Sequence, residues 1–211
     1  MKKLFDWWVP DQESSGIRDI MSEWNNKGLK SIQRCKARTT AIQAGGNLGV
    51  FPYYLASYFK DVITFEPVQA HWDCMARNLR SMQNITAYKY GLGEKAGSAR
   101  IHKTLADNCG ATQIVEDEEG VLKILALDQM NFEEVDLIWL DVEGFEVKAL
   151  KGAQTTIATW SPVIVVENNG LIHEFPSDRN GSDDFRRWMK DTFNYNHVDR
   201  LMRDDIFVRN S

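Results

Sequence analysis

The sequence predicts an α/β fold: a doubly wound, mostly parallel sheet with an antiparallel C-terminal hairpin strand and a small β insertion. Three observations carry this expectation. Short, near-continuous apolar runs alternate with stretches of helical periodicity, the pattern of strands buried on both faces under helices. A glycine-rich turn closes the first of those runs. Two strand-like runs joined by a polar turn end the chain. The length of 211 residues suits one domain with a modest extension, and 43% hydrophobic with 26% charged residues is ordinary for a globular chain. A chain of this size buries enough surface to need no metal or disulfide staple.

Residues 1–38 read as an N-terminal extension and 39–211 as the main domain. In the extension Asp6 and Pro10 break a short apolar run, and Ile17, Ile20, Met21 and Trp24 recur at helical spacing, so a helical lid or packing segment is expected. Thr39 to Gln43 is the first buried strand, followed by Ala44-Gly45-Gly46-Asn47-Leu48-Gly49. The next helix carries Phe51, Tyr54, Leu55, Tyr58 and Phe59; Pro52 fits only its first turn. Asp61 to Phe65 is a strand closed by Glu66-Pro67, residues 68–82 a helix, and Ile85 to Tyr90 a third strand ended by Gly91-Leu92-Gly93. Between Gly97 and Leu127, three short strand-like runs form the β insertion. Alternation resumes with Val135 to Leu140, ending in Asp141-Val142-Glu143-Gly144, then a helix with Val147, Ala149 and Leu150. Pro162 to Val166 ends in Glu167-Asn168-Asn169-Gly170, and a late helix holds Phe185, Trp188 and Met189. Tyr195 to Met202 and Ile206 to Arg209 form the final pair around a polar turn at Arg203-Asp204-Asp205.

The composition also excludes classes of function. With 25 Lys and Arg against 30 Asp and Glu, the net charge is −5, contrary to a nucleic-acid binder resting on a broad basic surface. Cys35, Cys74 and Cys109 are odd in number and widely spaced, which argues against a disulfide framework or a thiolate zinc site and for a reducing compartment. No apolar stretch is long enough for a membrane span. A cytoplasmic protein without membrane or nucleic-acid partners is expected.

In parallel sheets, ligands bind at the carboxyl ends of the strands. The glycine-rich turn lies there, where glycine permits tight backbone angles and close ligand approach. Glu66, at the end of the next strand, can accept hydrogen bonds from both hydroxyls of a ribose. The order Gly45-Gly46-Asn47-Leu48-Gly49 departs from the Gly-x-Gly-x-x-Gly dinucleotide fingerprint, so a pyrophosphate need not be held.

The Ala-Gly-Gly-Asn-Leu-Gly turn, Phe-Glu-Pro, and Leu-Asp-Gln-Met at Asp128 are three parts of a longer pattern. The segment from Val135 through Asp141-Val142-Glu143-Gly144 to Ala153, and Val-Ile-Val-Val-Glu at Glu167, complete it. Together they resemble the FkbM family of class I methyltransferases over about residues 39–210. The resemblance implies a Rossmann-like seven-stranded sheet and S-adenosylmethionine as cofactor. It implies that Gly45, Gly46, Asn47, Leu48 and Gly49 wrap the methionine and ribose, and that Glu66 with Pro67 holds the ribose. Leu92 and Gly93 would lie near adenine, and Asp141 beside the transferred methyl. Where the family usually has an acid before the turn, this chain has Gln43, which can still accept a hydrogen bond from the cofactor's ammonium.

Methyl transfer to a hydroxyl needs alignment and removal of a proton. Asp141, Glu143 and Glu167 are strand-end carboxylates suited to that task, and His173 is the histidine best placed as a base. Asp141 with Glu167-Asn168 also resembles the oxygen ligands of catechol-type, metal-dependent O-methyltransferases, a set suited to Mg²⁺. Here Glu stands for Asp, so the leading reading has no metal. That reading is an O-methyltransferase acting on a small-molecule or glycan hydroxyl. Two others compete with it: a nicotinamide-dependent oxidoreductase, from the turn and Glu66, and an inactive cofactor-binding module, from Gln43.

Overall fold

The computed structural model describes all residues except 14, 15, 106, 107, 171, 173, 176–180 and 211. The chain begins with a hairpin of β1 (Lys2–Leu4) and β2 (Trp7–Val9), then α1 (Gly16–Ile32), β3 (Thr40–Ala44), α2 (Val50–Leu55), β4 (Asp61–Phe65), α3 (Gln69–Asn78) and β5 (Ile85–Tyr88). Next come four strands, β6 (Gly91–Leu92), β7 (Gly97–Leu105), β8 (Asn108–Glu116) and β9 (Leu122–Leu125). The chain ends with β10 (Leu137–Leu140), α4 (Glu146–Lys151), α5 (Gln154–Trp160), β11 (Val163–Glu167), α6 (Gly181–Phe193), β12 (Tyr195–Leu201) and β13 (Asp204–Arg209).

Seven strands form the central sheet in the order β12-β13-β11-β10-β3-β4-β5. All are parallel except β13, which slots between β11 and β12 and runs antiparallel to both. The order reverses between β3 and β10, so the crevice at their carboxyl ends is the switch point where such sheets bind ligands. Side-chain alternation builds two cores. Leu137, Trp139, Val163 and Val165 face α1 and α2 with Trp24, Phe51 and Leu55. Ile138, Leu140, Ile164 and Val166 face α4, α5 and α6 with Leu150, Ile157, Phe185 and Met189. Both faces are covered, which is why these strands read as unbroken apolar runs.

The insertion is a separate four-stranded sheet, ordered β6-β9-β7-β8. Gly91 and Leu92 pair with Ile124 and Leu125 and so belong to this sheet; the third main strand stops at Tyr88. The N-terminal segment packs on the domain. Trp24 stacks on Tyr54 and Trp139, with ring centroids 5.2 and 6.2 Å away. Lys27 reaches Asp204 of β13 at 2.5 Å, and both side chains are buried. The expected polar turn at Arg203-Asp204-Asp205 is shorter: it tightens at Met202, whose φ is 58°, and Asp204 and Asp205 enter β13 fully buried. Charge partners decide this, since Asp205 accepts from Arg186, Arg200 and Asn168. No helix among the described residues is long and apolar enough to cross a membrane.

Candidate functional site

The glycine-rich turn is wedged between two strand ends. Gly45, Asn47 and Gly49 have φ of 84°, 46° and 90°. A Cβ on Gly45 would lie 1.8 Å from the Asp141 carbonyl oxygen, so only glycine fits. The amides of Gly45 and Gly46 donate to the Phe65 carbonyl at 3.1 and 2.8 Å. The amide of Asn47 donates to Glu66 Oε2 at 2.8 Å, and that of Val68 to Glu66 Oε1 at 2.8 Å. Two main-chain donors thus fix the buried Glu66 carboxylate while each oxygen keeps acceptor capacity. His71 Nδ1 stands 3.6 Å from Glu66 Oε1.

At the other end of the crevice, three carboxylates converge. One oxygen from each of Asp141, Glu143 and Glu167 lies within 4.8 Å of the others. The β10 end is bent to achieve this: Glu143 has φ of 51° and Gly144 of 109°. Glu146, buried at the start of α4, accepts from the amides of Val142 and Gly144 and holds the bend. Asn169 Nδ2 donates to Glu167 at 2.9 Å, and Arg203 Nε lies 3.2 Å from its other oxygen.

Burial pushes the Glu143 carboxyl up to about 8, and the neighbouring Asp141 and Glu146 charges add to the rise. Burial, then the charge of Asp141 and a hydrogen bond with it, raise Glu167 well above the carboxylate range, against the pull of Arg203. Burial also raises Glu146 to about 7, opposed by its backbone donors. Three carboxyls crowded away from water do not all ionise near neutrality.

One cavity of about 380 Å³ joins the two ends. Phe65, Glu66, Pro67, His71, Tyr90 and Leu92 line it on one side of the turn, and Asp141, Glu143, Glu167, Asn169 and Arg203 on the other. Gly110, Ala111, Thr112 and Ile114 of β8 and Ile20 of α1 also border it.

The Methyltransferase FkbM domain model matches residues 43–204. The chain belongs to the FkbM methyltransferase family. It is 25% identical to Methyltransferase 1 of Beauveria bassiana (strain ARSEF 2860) over 141 residues, 53% of this chain and 57% of that protein. It resembles the crystal structure of Methyltransferase FkbM from Methylobacillus flagellatus KT with a TM-score of 0.56 and 17% identity, covering 82% of this chain and 43% of that one. It also resembles a SAM dependent methyltransferase from Aquifex aeolicus with a TM-score of 0.52 and 11% identity, covering 92% of this chain and 95% of that one. The chain therefore spans a little over half of the Beauveria protein and under half of the Methylobacillus one.

Against the FkbM pattern, Gly45, Gly46, Asn47, Leu48, Glu66, Pro67, Leu92, Asp141, Glu143 and Glu167 all border the one cavity. Gly49 is outside it, with its left-handed φ starting α2. Gly93 is also outside, its amide paired with Leu125. Gln43 does not border the cavity: its amide donates to the carbonyls of Ala44 and Gly45 and accepts from Thr64, bracing the turn from beneath. It is therefore not aimed at a cofactor's ammonium, as the sequence had suggested. Asn168 corrects the expected ligand set of Asp141, Glu167 and Asn168, because its side chain turns away to Asp205 and Glu143 takes the third place. His173 lies outside the described residues. Sequence reasoning missed Arg203, Asn169 and Glu146, and His71 also stands at the cavity wall. Of these only Glu146 had a readable signal, a buried acid three residues after Glu143 in a turn that needs its amides satisfied.

Proposed function

We propose that the protein is an S-adenosylmethionine-dependent methyltransferase acting on a hydroxyl oxygen of a small molecule or glycan. One observation supports this above all: a single cavity has a fixed ribose-type acceptor, Glu66, at one end and a proton-accepting carboxylate cluster at the other. The cradle suits the cofactor in shape. Its floor at Gly45 and Gly46 has no room for side chains, and Phe65, Val68 and Leu92 offer an apolar slot for a base. The Aquifex neighbour is described as SAM dependent, which agrees with that fit. When bound, the cofactor supplies an electrophilic methyl on a positively charged sulfur.

The chain's own residues then have three tasks. The Asn47 turn and Glu66 would hold the nucleoside, and Asp141 stands at the other end of the same cavity. Asp141 offers negative charge beside the donor. Glu143, whose affinity for a proton is raised to about 8, would take the proton of an acceptor hydroxyl. A carboxyl of that affinity is largely protonated at pH 7, so its action as a base should rise toward pH 8. Glu167 holds a proton and donates it to Asp141, with Asn169 and Arg203 fixing its orientation. β8 and Arg203 border the side on which the acceptor enters. This route uses no metal; a divalent ion such as Mg²⁺ would have to displace the proton that Glu167 and Asp141 share.

The test is calorimetric titration with S-adenosylhomocysteine, with NAD as control and Glu66→Ala alongside, followed by methyl transfer to a panel of polyols with and without Mg²⁺. Binding of S-adenosylhomocysteine alone, weakened by roughly tenfold or more in Glu66→Ala through loss of a charge-assisted acceptor, is expected. NAD binding in its place would refute the methyltransferase reading. Binding without transfer to any acceptor would favour an inactive module.

A further inference from the structure

A second groove, separate from the site above, lies between the β1–β2 hairpin, α2 and the end of α3, with a volume of about 390 Å³. Three cations converge on it, Lys3, Arg77 and Arg80, against one acid, Asp6. The chain as a whole carries −5, so this is a local reversal of charge. Among the described residues, none of the three cations forms an ion pair, and Asp6 pairs with none of them.

Two of the cations, Lys3 and Arg77, lie over an aromatic ring. The Arg77 guanidinium lies 4.7 Å from the centroid of the Trp8 ring, and Lys3 Nζ lies 5.9 Å from it. An arginine laid on an indole keeps its five N–H donors pre-oriented at its edge, the arrangement that matches an oxyanion in bidentate fashion. The platform itself is rigid. Trp8 exchanges two hydrogen bonds with Asn78, its amide donating at 2.8 Å and its carbonyl accepting at 3.0 Å. Asn78 Nδ2 also donates to the Leu48 carbonyl at 2.7 Å, so the groove is fastened to the back of the glycine-rich turn. Trp7 and Tyr53 meet edge to face at 5.4 Å and form an apolar wall beside the cations.

We propose that this groove is a second ligand site that binds a phosphate or sulfate ester carried on a ring such as a sugar. Two observations argue for a doubly charged oxyanion. Three cations against the single Asp6 leave an excess of two positive charges, and a guanidinium held over an indole ring has its donors partly ordered before binding, which reduces the entropy lost on capture. The aromatic wall gives the ring of the ester a face to pack on. The site is distinct from the carboxylate cluster, whose negative charge would repel such a ligand, and it stands whether or not the reaction proposed above is correct.

Calorimetric titration of the full chain with glucose 6-phosphate, inorganic phosphate, inorganic sulfate and glucose tests this. Glucose 6-phosphate is expected to saturate one site per chain, to bind tighter than either free ion, and to weaken as salt rises; glucose alone is not expected to bind. The free ions separate recognition of the charge from recognition of the sugar ring. Arg77→Met should weaken the ester by roughly tenfold, the loss of one charge-assisted hydrogen bond pair. Thermal melting checks its fold. Arg80→Met, at an exposed position, gives the same readout if Arg77→Met does not fold. Absence of saturation, an affinity unchanged in both folded variants, or displacement of the ester by S-adenosylhomocysteine would overturn the proposal.

Discussion

Lys27 and Asp204 join the N-terminal helix to β13 through an ion pair with both side chains about 1% exposed. Water cannot screen such a pair, and the lysine ammonium also lies 5.2 Å from the Phe51 ring. Replacing one partner, as in Lys27→Met or Asp204→Asn, takes this counter-ion away from the other buried charge. That costs about 3–5 kcal/mol. For a chain of this length, each kcal/mol lowers the melting temperature by about 2–4 °C, so either single variant should melt roughly 6–20 °C lower. The double variant Lys27→Met/Asp204→Leu removes both charges and fills the space with apolar groups of similar size. It should recover most of the loss, because desolvation of the pair offsets much of its attraction. Denaturant melts of the four proteins give the coupling energy directly. Single losses below about 1 kcal/mol, typical of exposed pairs, would refute the reasoning, as would a double variant no more stable than the worse single one. The outcome bears on the extension as well. A helix fastened by a buried pair is part of the folded domain and does not swing as a free lid.

Three further outcomes follow from the site. Glu143 holds its proton more tightly in the folded chain, at about 8 against an ordinary 4.5, so its contribution to stability is present below 4.5 and lost as pH rises through 8. Glu143→Gln should flatten that decline in melting temperature; an unchanged profile would show that the carboxyl is not buried as described. Gly45→Ala places a methyl against the Asp141 carbonyl at positive φ, so a loss above about 2 kcal/mol by denaturant melt is expected, together with loss of S-adenosylhomocysteine binding. The methyl donor carries a positive sulfur and its demethylated product does not. Calorimetry in buffers of different ionisation heat should therefore show S-adenosylmethionine releasing more protons from the carboxylate cluster than S-adenosylhomocysteine. Equal release would mean that the donor's sulfur does not lie near Asp141.

Most of the main sheet was readable because burial on both faces leaves a simple record, a run of apolar residues closed by glycine or an acid. β3, β4, β10 and β11 all show it. The cavity's inner wall was readable for the same reason, since its residues are the strand ends themselves. What escaped depends on pairing across distance. Asp204 and Asp205 look like a turn in sequence, and distant partners, Lys27, Arg186 and Arg200 among them, make them strand residues. Asp128 stands in a motif of the family and yet lies away from the cavity. It accepts from the amides of Thr155 and Thr156 and so caps α5 from a distance. Gln43 looked like a weakened cofactor contact and instead supports the turn. A side chain's direction is set by which neighbour can satisfy it, and that neighbour is seldom adjacent in sequence.

The two ends of the cavity are joined by main chain. Gly45 and Gly46 donate to Phe65, which precedes Glu66, and the Asp141 amide donates to Ala44, which precedes the turn. The spacing of the backbone at Glu66 and at Asp141 is thus set by sheet register. In-line displacement depends on alignment to within a fraction of an ångström, so a scaffold of this kind would suit the donor side of the reaction we propose. The opposite wall of the cavity is built differently. Its border comes from β8 in the inserted sheet, from Arg203 at the tip of the last hairpin and from Asn169 after β11. These are connections and inserted elements, free to differ in length and sequence without disturbing the register of β3, β4 and β10. A change of acceptor should therefore follow exchange of β7–β8 or of the Met202–Arg203 tip, and leave affinity for S-adenosylhomocysteine intact.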